Sequence, residues 1–584
     1  MSSDIPQYGP ASRVVEYATS RPRVLGWLRG AAILDGDWGT SIAYVLGIAF
    51  ALAGNSSFWH LAAMLILTTL VALNYVTICR LHPNGGGVYS TVYHRSRSFA
   101  VIGALLLGAD YVITMSLSIL DAGHYFGIQD PATAAMIIIF IVGAFNWFGP
   151  KHTGGAAIFV SVATLAAILT IIAVSAPEAL KNAIIEPPSG NSFDNWEIFV
   201  GIILSISGIE AVSNMTGLMK EPTRDSRRAI LSVLTKVVVA TIFLGLAMYA
   251  IPGLDRMEHK EEMVRFLGEF YVGQWFGWVV AVSIGLLLIS AGNTALNGLI
   301  SIQFLMSVDG ELPAPLRKLN RHGVPIIPLI IATIVPIVVL VFIHDILTLA
   351  QLYAIGVVGA ILINVGSTAT DKSIVISKPI RLMMALSALV LLFVETSIAV
   401  DKPKATIFAG LVLVTGLGAR ALAQRAKVRV PAPVPVPAAA PPPRRRARRA
   451  LPTSRFLVAM KDANERLLKF AIEESRHRNA FLFVLRVKEI AVGNLPERIF
   501  LESNGAERRI EELCATANVD YQYLQVPSYE VGYTIAEQAA TFGVERVIIG
   551  AERRNRLENV LKGSVMRSLS GLLPEDVQLV IFGG

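Results

Sequence analysis

Charge is scarce in this chain. Only 16% of its residues are Asp, Glu, Lys or Arg, while 53% are hydrophobic and the mean hydropathy is +0.57. That balance excludes an ordinary soluble domain and fits a chain that crosses a membrane many times. Cysteine is nearly missing: Cys79 and Cys514 lie far apart in regions of different character, which excludes a disulfide framework. The nine histidines are scattered, with no metal-ligand spacing, and no nucleophile elbow is present, so no enzyme signature is visible. His82 and His94 flank a basic loop and read as interfacial. The N-terminus is polar, carries arginines and lacks a cleavable signal pattern, so the first apolar run is expected to be kept as a true span.

What the chain has in abundance is apolar runs. About twenty such residues cross a bilayer core as a helix. Twelve runs qualify, at 28–53, 58–78, 99–127, 131–149, 155–176, 196–218, 229–252, 273–306, 325–343, 346–366, 380–399 and 404–422. They are numbered below as spans 1 to 12. Spans 3 and 8 are long enough to be tilted or broken. Basic residues sit before span 1 (Arg13, Arg21, Arg23, Arg29) and after spans 2, 6, 8 and 10, as in Arg80, Arg95 and Arg97 or Arg317, Lys318 and Arg321. The positive-inside rule then places both termini in the cytoplasm, with the spans in the plasma membrane. The expected domains are a cytoplasmic N-terminus (1–27), a transmembrane domain (28–422), a linker (423–453) and a cytoplasmic α/β domain (454–584).

The linker contains the proline-alanine stretch VPAPVPVPAAAPPP, an extended spacer, and then RRRARR at 444–449. The arginines serve as a positive-inside stop, as a contact for anionic headgroups of the lipid bilayer, or as both. Beyond them, short runs such as RFLVAM, AFLFVLRV, YQYLQVP, RVIIGA and VQLVIF alternate with amphipathic stretches, the pattern of a βαβ domain with a parallel sheet.

Three carboxylates interrupt the spans: Asp37, Asp110 and Glu210. At a bilayer centre each costs about 2.5–3.5 kcal/mol on the insertion scale, which makes it a functional candidate by default. No lysine or arginine is expected in the middle of any span to pair with them. Asp110, Thr114 and Ser118 are four apart, so their oxygens line one helix face, with Tyr111 at its border. Span 1 adds Thr40, Ser41 and Tyr44, and span 6 adds Ser205, Ser207, Ser213 and Asn214. Spans 1 and 6 share a glycine-containing polar interruption, DGDWGTS and SGIEAVSN. If spans 1–5 and 6–10 are two repeats, these are corresponding helices, and paired broken helices mark the midplane site of an inverted-repeat transporter. Unwound carbonyls there can replace water around a cation.

These residues resemble the APC superfamily, and within it the KUP-type potassium transporters with their KimA-like branch. GDWGTSIAY resembles their span 1 motif GDIGTSPLY, and DYVITMSLS their span 3 pattern D-x-V-I-T-x-x-x-S. SGIEAVSN resembles the span 6 T-G-x-E-A motif, HPNGGGVY the loop between spans 2 and 3, and LYAIGV the span 10 segment that supplies a tyrosine. The resemblance implies a 5+5 inverted-repeat fold. It also implies that Asp37, Tyr44, Asp110, Tyr111, Thr114, Ser118, Ser207, Glu210 and Tyr353 surround a path for K⁺ and H⁺. Departures are Ser207 for threonine, Trp38 for isoleucine and Ile42 for proline. Residues 550–565, GAERRNRLENVLKGSV, resemble the nucleotide loop of universal stress proteins through Gly550, Gly563 and Ser564. Arg553 stands where the second glycine belongs and Lys461 where an aspartate is common. Both changes weigh against ATP; the resemblance to the KimA-like branch implies instead a regulatory domain that dimerises or senses a cyclic dinucleotide.

The leading expectation is therefore secondary active K⁺ uptake coupled to protons, by a homodimer joined through the edge of the VQLVIF strand. The alternative on the same fold is a proton-coupled permease for amino acids or organic cations, although an aspartate at the span 1 break would repel a substrate carboxylate. A sensor anchored by inert spans fits the polar intramembrane sites poorly.

Overall fold

The computed structural model describes residues 23–85, 87–149, 154–428, 454–461, 464–492, 506–551, 559 and 562–583. The linker after residue 428, Arg13, Arg21 and Arg553 lie outside them.

Each of the twelve apolar runs carries helix. Among the described residues eight helical stretches are long and apolar enough to cross a membrane, and a bent pair, Ser192–Gly201 with Ile203–Leu218, makes a ninth. One of the eight, Trp38–Leu81, contains the second half of span 1 and all of span 2, joined by a turn at Gly54. Two shorter apolar helices, Pro131–Asn146 and Ile326–Phe342, account for spans 4 and 9. Spans 1 and 6 are broken, as expected of the first helix in each five-span set.

Spans 3 and 8 are not broken. Arg97–Tyr125 and Gln274–Val308 each run as one helix. At 1.5 Å per residue the second is roughly 50 Å long, far more than the ~30 Å hydrocarbon core. Its excess length carries its C-terminal end out to the α/β domain. Span 3 is the central strut: it packs on spans 8 and 10 along most of its length, and its residues are buried from Ala109 through Ala122. Outward faces stay apolar, with Phe140, Phe159, Ile242, Trp275 and Phe393 exposed. Such a surface is stable against lipid and costly in water.

The C-terminal domain is a five-stranded sheet in the order β3-β2-β1-β4-β5. Its strands are β1 Arg455–Met460, β2 Phe481–Glu489, β3 Tyr521–Ser528, β4 Arg546–Gly550 and β5 Gln578–Phe582. All pairings are parallel, with Val458 opposite Val484 on one side and Ile548 on the other. Alternate residues of β1 feed two cores. Phe456, Val458 and Met460 join Leu468 and Ile472 of helix Glu465–His477. Leu457 and Ala459 join Ile535 and Phe542 of helix Val531–Phe542. Period-2 side-chain alternation makes this three-layer arrangement possible. β5 is an edge strand.

The α/β domain rests on the loop after span 8. The Ala491 amide donates to the Gly323 carbonyl at 2.9 Å, and Lys562 Nζ donates to the His322 carbonyl at 2.7 Å while pairing with Glu489 at 3.1 Å. Phe304 of span 8 packs with Ile490, Val492 and Tyr529. The domain therefore lies on the same face as the basic residues Arg317, Lys318 and Arg321.

Both cysteines are free and buried. Burial pushes the Cys514 thiol up to about 12, and the thiolate is the reactive form. The folded protein is expected to resist a maleimide at neutral pH and to take two labels once denatured. Rapid labelling of Cys514 in the native protein would show that helix Ala506–Ala517 opens readily.

Candidate functional site

The site begins at two backbone breaks that touch. Helix Trp27–Asp35 stops at Gly36, a short 3₁₀ turn follows at Trp38–Thr40, and helix Ser41–Ala53 completes span 1. In span 6 the helical backbone ends at Ile206, Ser207 is extended, and Gly208 takes φ +87° before Glu210 starts the next short helix. Gly208 is required there twice over. Its φ is strained for any side chain, and a Cβ would fall on the Asp37–Trp38 peptide. Trp38 is fully buried and its indole donates to the Ser205 carbonyl at 3.3 Å, tying one break to the other. Each break exposes the carbonyl end of a half-helix, the partially negative end of its dipole.

Asp37, Asp110 and Glu210 converge on this point. They are 5%, 1% and 3% exposed. Asp110 and Glu210 lie within hydrogen-bonding reach of each other, and Asp37 is in electrostatic contact with both. One oxygen of each, Asp37 Oδ2, Asp110 Oδ2 and Glu210 Oε2, has no hydrogen-bond partner. Buried carboxylate oxygens are normally satisfied. Three such oxygens at one place are groups that a cation or a proton can satisfy.

The remaining oxygens are arranged around them. Thr114 Oγ1 donates to the Asp110 carbonyl at 2.9 Å and lies 3.4 Å from Asp110 Oδ1. Thr40 Oγ1 donates to the Asp37 carbonyl, and Ser213 Oγ donates to the Glu210 carbonyl at 2.6 Å. The Ser207 and Tyr353 hydroxyls hydrogen-bond, and Tyr353 is in electrostatic contact with Asp37, Asp110, Glu210 and Tyr44. Tyr111 accepts from Asn214 Nδ2 at 2.9 Å and faces the same three carboxylates. Tyr44 reaches Asp37 and Asp110. Ser118 is buried one helical turn beyond Thr114 on the same face of span 3. Of the residues named from sequence for the ion path, all but Ser118 gather around the two breaks, and Ser118 extends the polar face away from them.

One expectation is corrected. A lysine does lie in mid-span: Lys236, at the centre of helix Pro222–Tyr249 in span 7. It does not pair with the three site carboxylates. Its Nζ donates to both oxygens of Asp35, at 2.6 and 2.8 Å, and Ser161 Oγ of span 5 donates to Asp35 Oδ2 at 2.6 Å. Asp35 closes the half-helix just before the break, so this triad fixes that half-helix to spans 5 and 7. The sequence carried the signal in the doubled acid of DGD, since one carboxylate can serve an ion while the other holds the backbone. A further residue missed from sequence is Asp121, which continues the Asp110–Thr114–Ser118 face and is wholly buried.

In the C-terminal domain Gly550 ends β4, Gly563 takes φ +73°, and Ser564 Oγ accepts from the Arg567 amide at 3.3 Å. Ser564 thus caps its own short helix, Val565–Ser570. Arg553 lies outside the described residues.

The family model described as amino acid permease matches residues 25–414. Over 314 residues the chain is 24% identical to the potassium transporter KimA of Bacillus subtilis, covering 49% of this chain and 51% of that protein. An uncharacterized transporter, lpg1691, of Legionella pneumophila is 25% identical over 308 residues, 48% of this chain and 65% of that one. The polyamine transporter RMV1 of Arabidopsis thaliana is 22% identical over 203 residues, 33% of this chain and 40% of that one. The matched segment thus spans between two fifths and two thirds of these curated relatives. The family match covers most of the chain and every helix of the site, and the protein belongs to the amino acid permease family of multi-span membrane transporters.

Proposed function

We propose that this transporter imports K⁺ together with H⁺ into the cytoplasm. The observation that carries the reading is the cluster of Asp37, Asp110 and Glu210, each with an unpartnered buried oxygen. Like charges this close cannot all stay ionised without a cation or a proton among them. Exposed carbonyls and the hydroxyls of Thr114, Ser207 and Tyr353 supply neutral oxygens, which suit a weakly hydrated monovalent cation. In this scheme Asp37 stays ionised to balance the cation. Glu210, within hydrogen-bonding reach of Asp110, binds and releases the proton.

Two charges moving inward gain about 2.3 kcal/mol each per 100 mV. At about 1.4 kcal/mol per tenfold, that supports roughly thousandfold accumulation. The potassium transporter among the relatives agrees with this reading. The same acidic cluster also suits an ammonium group, and the polyamine transporter among the relatives makes an organic cation the second candidate.

A potassium-uptake-deficient bacterium expressing the chain should regain growth on low potassium, with uptake unaffected by spermidine or putrescine. Competition by the amines, with no rescue of growth, would favour the organic cation. Glu210→Gln should still exchange K⁺ across a vesicle membrane but lose accumulation driven by a pH gradient. Unchanged proton-driven accumulation in that variant would remove Glu210 from the proton path.

We assign the α/β domain a regulatory role, as the cytoplasmic contact of a homodimer through the edge strand β5 or as the receptor of a cyclic dinucleotide. Its seat on the loop after span 8 gives either event a route to the transport domain.

A further inference from the structure

Span 3 carries a fourth carboxylate outside the central cluster. Asp121 lies two helical turns beyond Thr114 on the same face, is 0% exposed, and has neither oxygen partnered. It is close to the end of span 3 remote from the α/β domain. The segment between spans 7 and 8, including helix Met263–Tyr271, lies against that end, where Arg265 donates to the Tyr125 carbonyl at 3.0 Å and Glu261 meets His124. The cover is tightly fitted: the Lys260 carbonyl backs onto Gly47 of span 1 so closely that a Cβ there would overlap it. Tyr125 donates to the Ala43 carbonyl at 2.7 Å, closing span 3 against span 1.

The charges in the cover are negative toward Asp121. Glu261 and Glu262 both act on it electrostatically. The basic groups nearby lie against those glutamates: His124 Nδ1 is 3.0 Å and Lys260 Nζ 3.8 Å from Glu261, and His259 Nδ1 is 3.7 Å from Glu262. Arg265 donates to Glu269 at 2.9 Å, to the Tyr125 carbonyl at 3.0 Å and to Glu262 at 3.4 Å. Among the described residues no ion pair reaches Asp121. Tyr44 of span 1, which hydrogen-bonds Thr40, is near enough to Asp121, Asp110 and Asp37 for all three to act on its hydroxyl electrostatically.

We propose that Asp121 is a second monovalent-cation site, an outer station on the path to the central cluster, roofed by the segment between spans 7 and 8. A cation arriving beneath the roof exchanges water for the Asp121 carboxylate, then passes Tyr44 and Ser118 to reach Asp37. Two stations in series let an incoming ion push the one ahead, which keeps binding strong enough to enter and weak enough to leave. The inference rests on the cation-transport reading above and adds a site to it.

The test is equilibrium binding of radioactive Rb⁺ to the purified full-length protein, with Asp121→Asn, Asp121→Ser and Asp37→Asn compared with the unaltered chain. Gel filtration establishes that each variant is folded, and the smaller serine guards against a local misfit of asparagine. The unaltered chain should bind two Rb⁺, and either Asp121 variant should bind one. In uptake by vesicles, Asp121→Asn should raise KM for external cation about tenfold with kcat nearly unchanged, and Asp121→Glu should restore it. Two Rb⁺ bound by both Asp121 variants overturns the outer station and leaves the transport reading standing. No Rb⁺ bound by the unaltered chain overturns both.

Discussion

Asp37→Asn is expected to abolish cation uptake while the protein still inserts, folds and binds its α/β domain as before. The substitution keeps the shape of the side chain and removes its charge. Insertion should become slightly easier, because a carboxylate at the bilayer centre costs about 2.5–3.5 kcal/mol and an amide costs less. Nothing structural hangs on the lost charge: Asp37 Oδ2 has no partner, and the hydrogen bond from Thr40 goes to the main-chain carbonyl. What is lost is a charge-assisted contact to the guest. At up to about 3 kcal/mol for such a contact and 1.4 kcal/mol per tenfold, uptake should fall about a hundredfold or more. The measurement is initial uptake of Rb⁺ or K⁺ in vesicles, normalised to protein by immunoblot. Uptake by the variant at half the normal rate or better would place the ion path elsewhere.

How much of this site could be read from the sequence depends on what kind of signal each residue leaves. The two breaks were legible because a charged residue is rare inside an apolar run, and here one stands beside a helix-weakening glycine at Gly36–Asp37 and Gly208–Glu210. The stripe Asp110–Thr114–Ser118 was legible because helical spacing alone puts those residues on one face. Convergence of the breaks was not legible. It depends on Gly208 lying against the Asp37–Trp38 peptide, a contact across 170 residues of chain that no local pattern encodes.

Span 8, long enough to be tilted or broken, contains SAGNTALNG, a polar, glycine-bearing stretch that locally resembles a break. The helix continues because Asn293 and Asn297 are satisfied: Asn146 of span 4 donates to Asn293 at 2.7 Å, and Asn297 donates to Asn146 at 3.1 Å. Asp121 lies near the end of its span, where sequence alone does not separate an interfacial carboxylate from a buried one; it is buried because the segment between spans 7 and 8 folds over that end. The parallel sheet of the α/β domain was the easiest part to read, since each strand is a short apolar run bounded by an amphipathic helix.

Lys236 was hidden by its surroundings, KVVVATIFLGLA, which read as apolar from Val237 onward. Its pairing with Asp35 leads to the second large effect. The two side chains are 8% and 3% exposed, and the carboxylate also accepts from Ser161. Removing one partner of a buried pair leaves the other charge uncompensated, at a cost of about 3–5 kcal/mol. Lys236→Met is therefore expected to lower the thermal midpoint of the detergent-solubilised protein by on the order of 3–5 °C. Asp35→Asn should do the same from the other side. The double variant, Asp35→Asn with Lys236→Met, removes both charges and should recover most of the lost stability, because desolvation of an ion pair offsets much of its attraction. Transport should not recover with it. The pair also fixes the end of helix Trp27–Asp35 against spans 5 and 7, two residues from Asp37, and a neutral substitute lacks the bidentate geometry that sets that position. Stability and uptake measured on the same four proteins separate the two roles. If the double variant transports at the normal rate, the triad is only a packing feature. If it is as unstable as either single variant, the ion pair itself stabilises the fold beyond its desolvation cost.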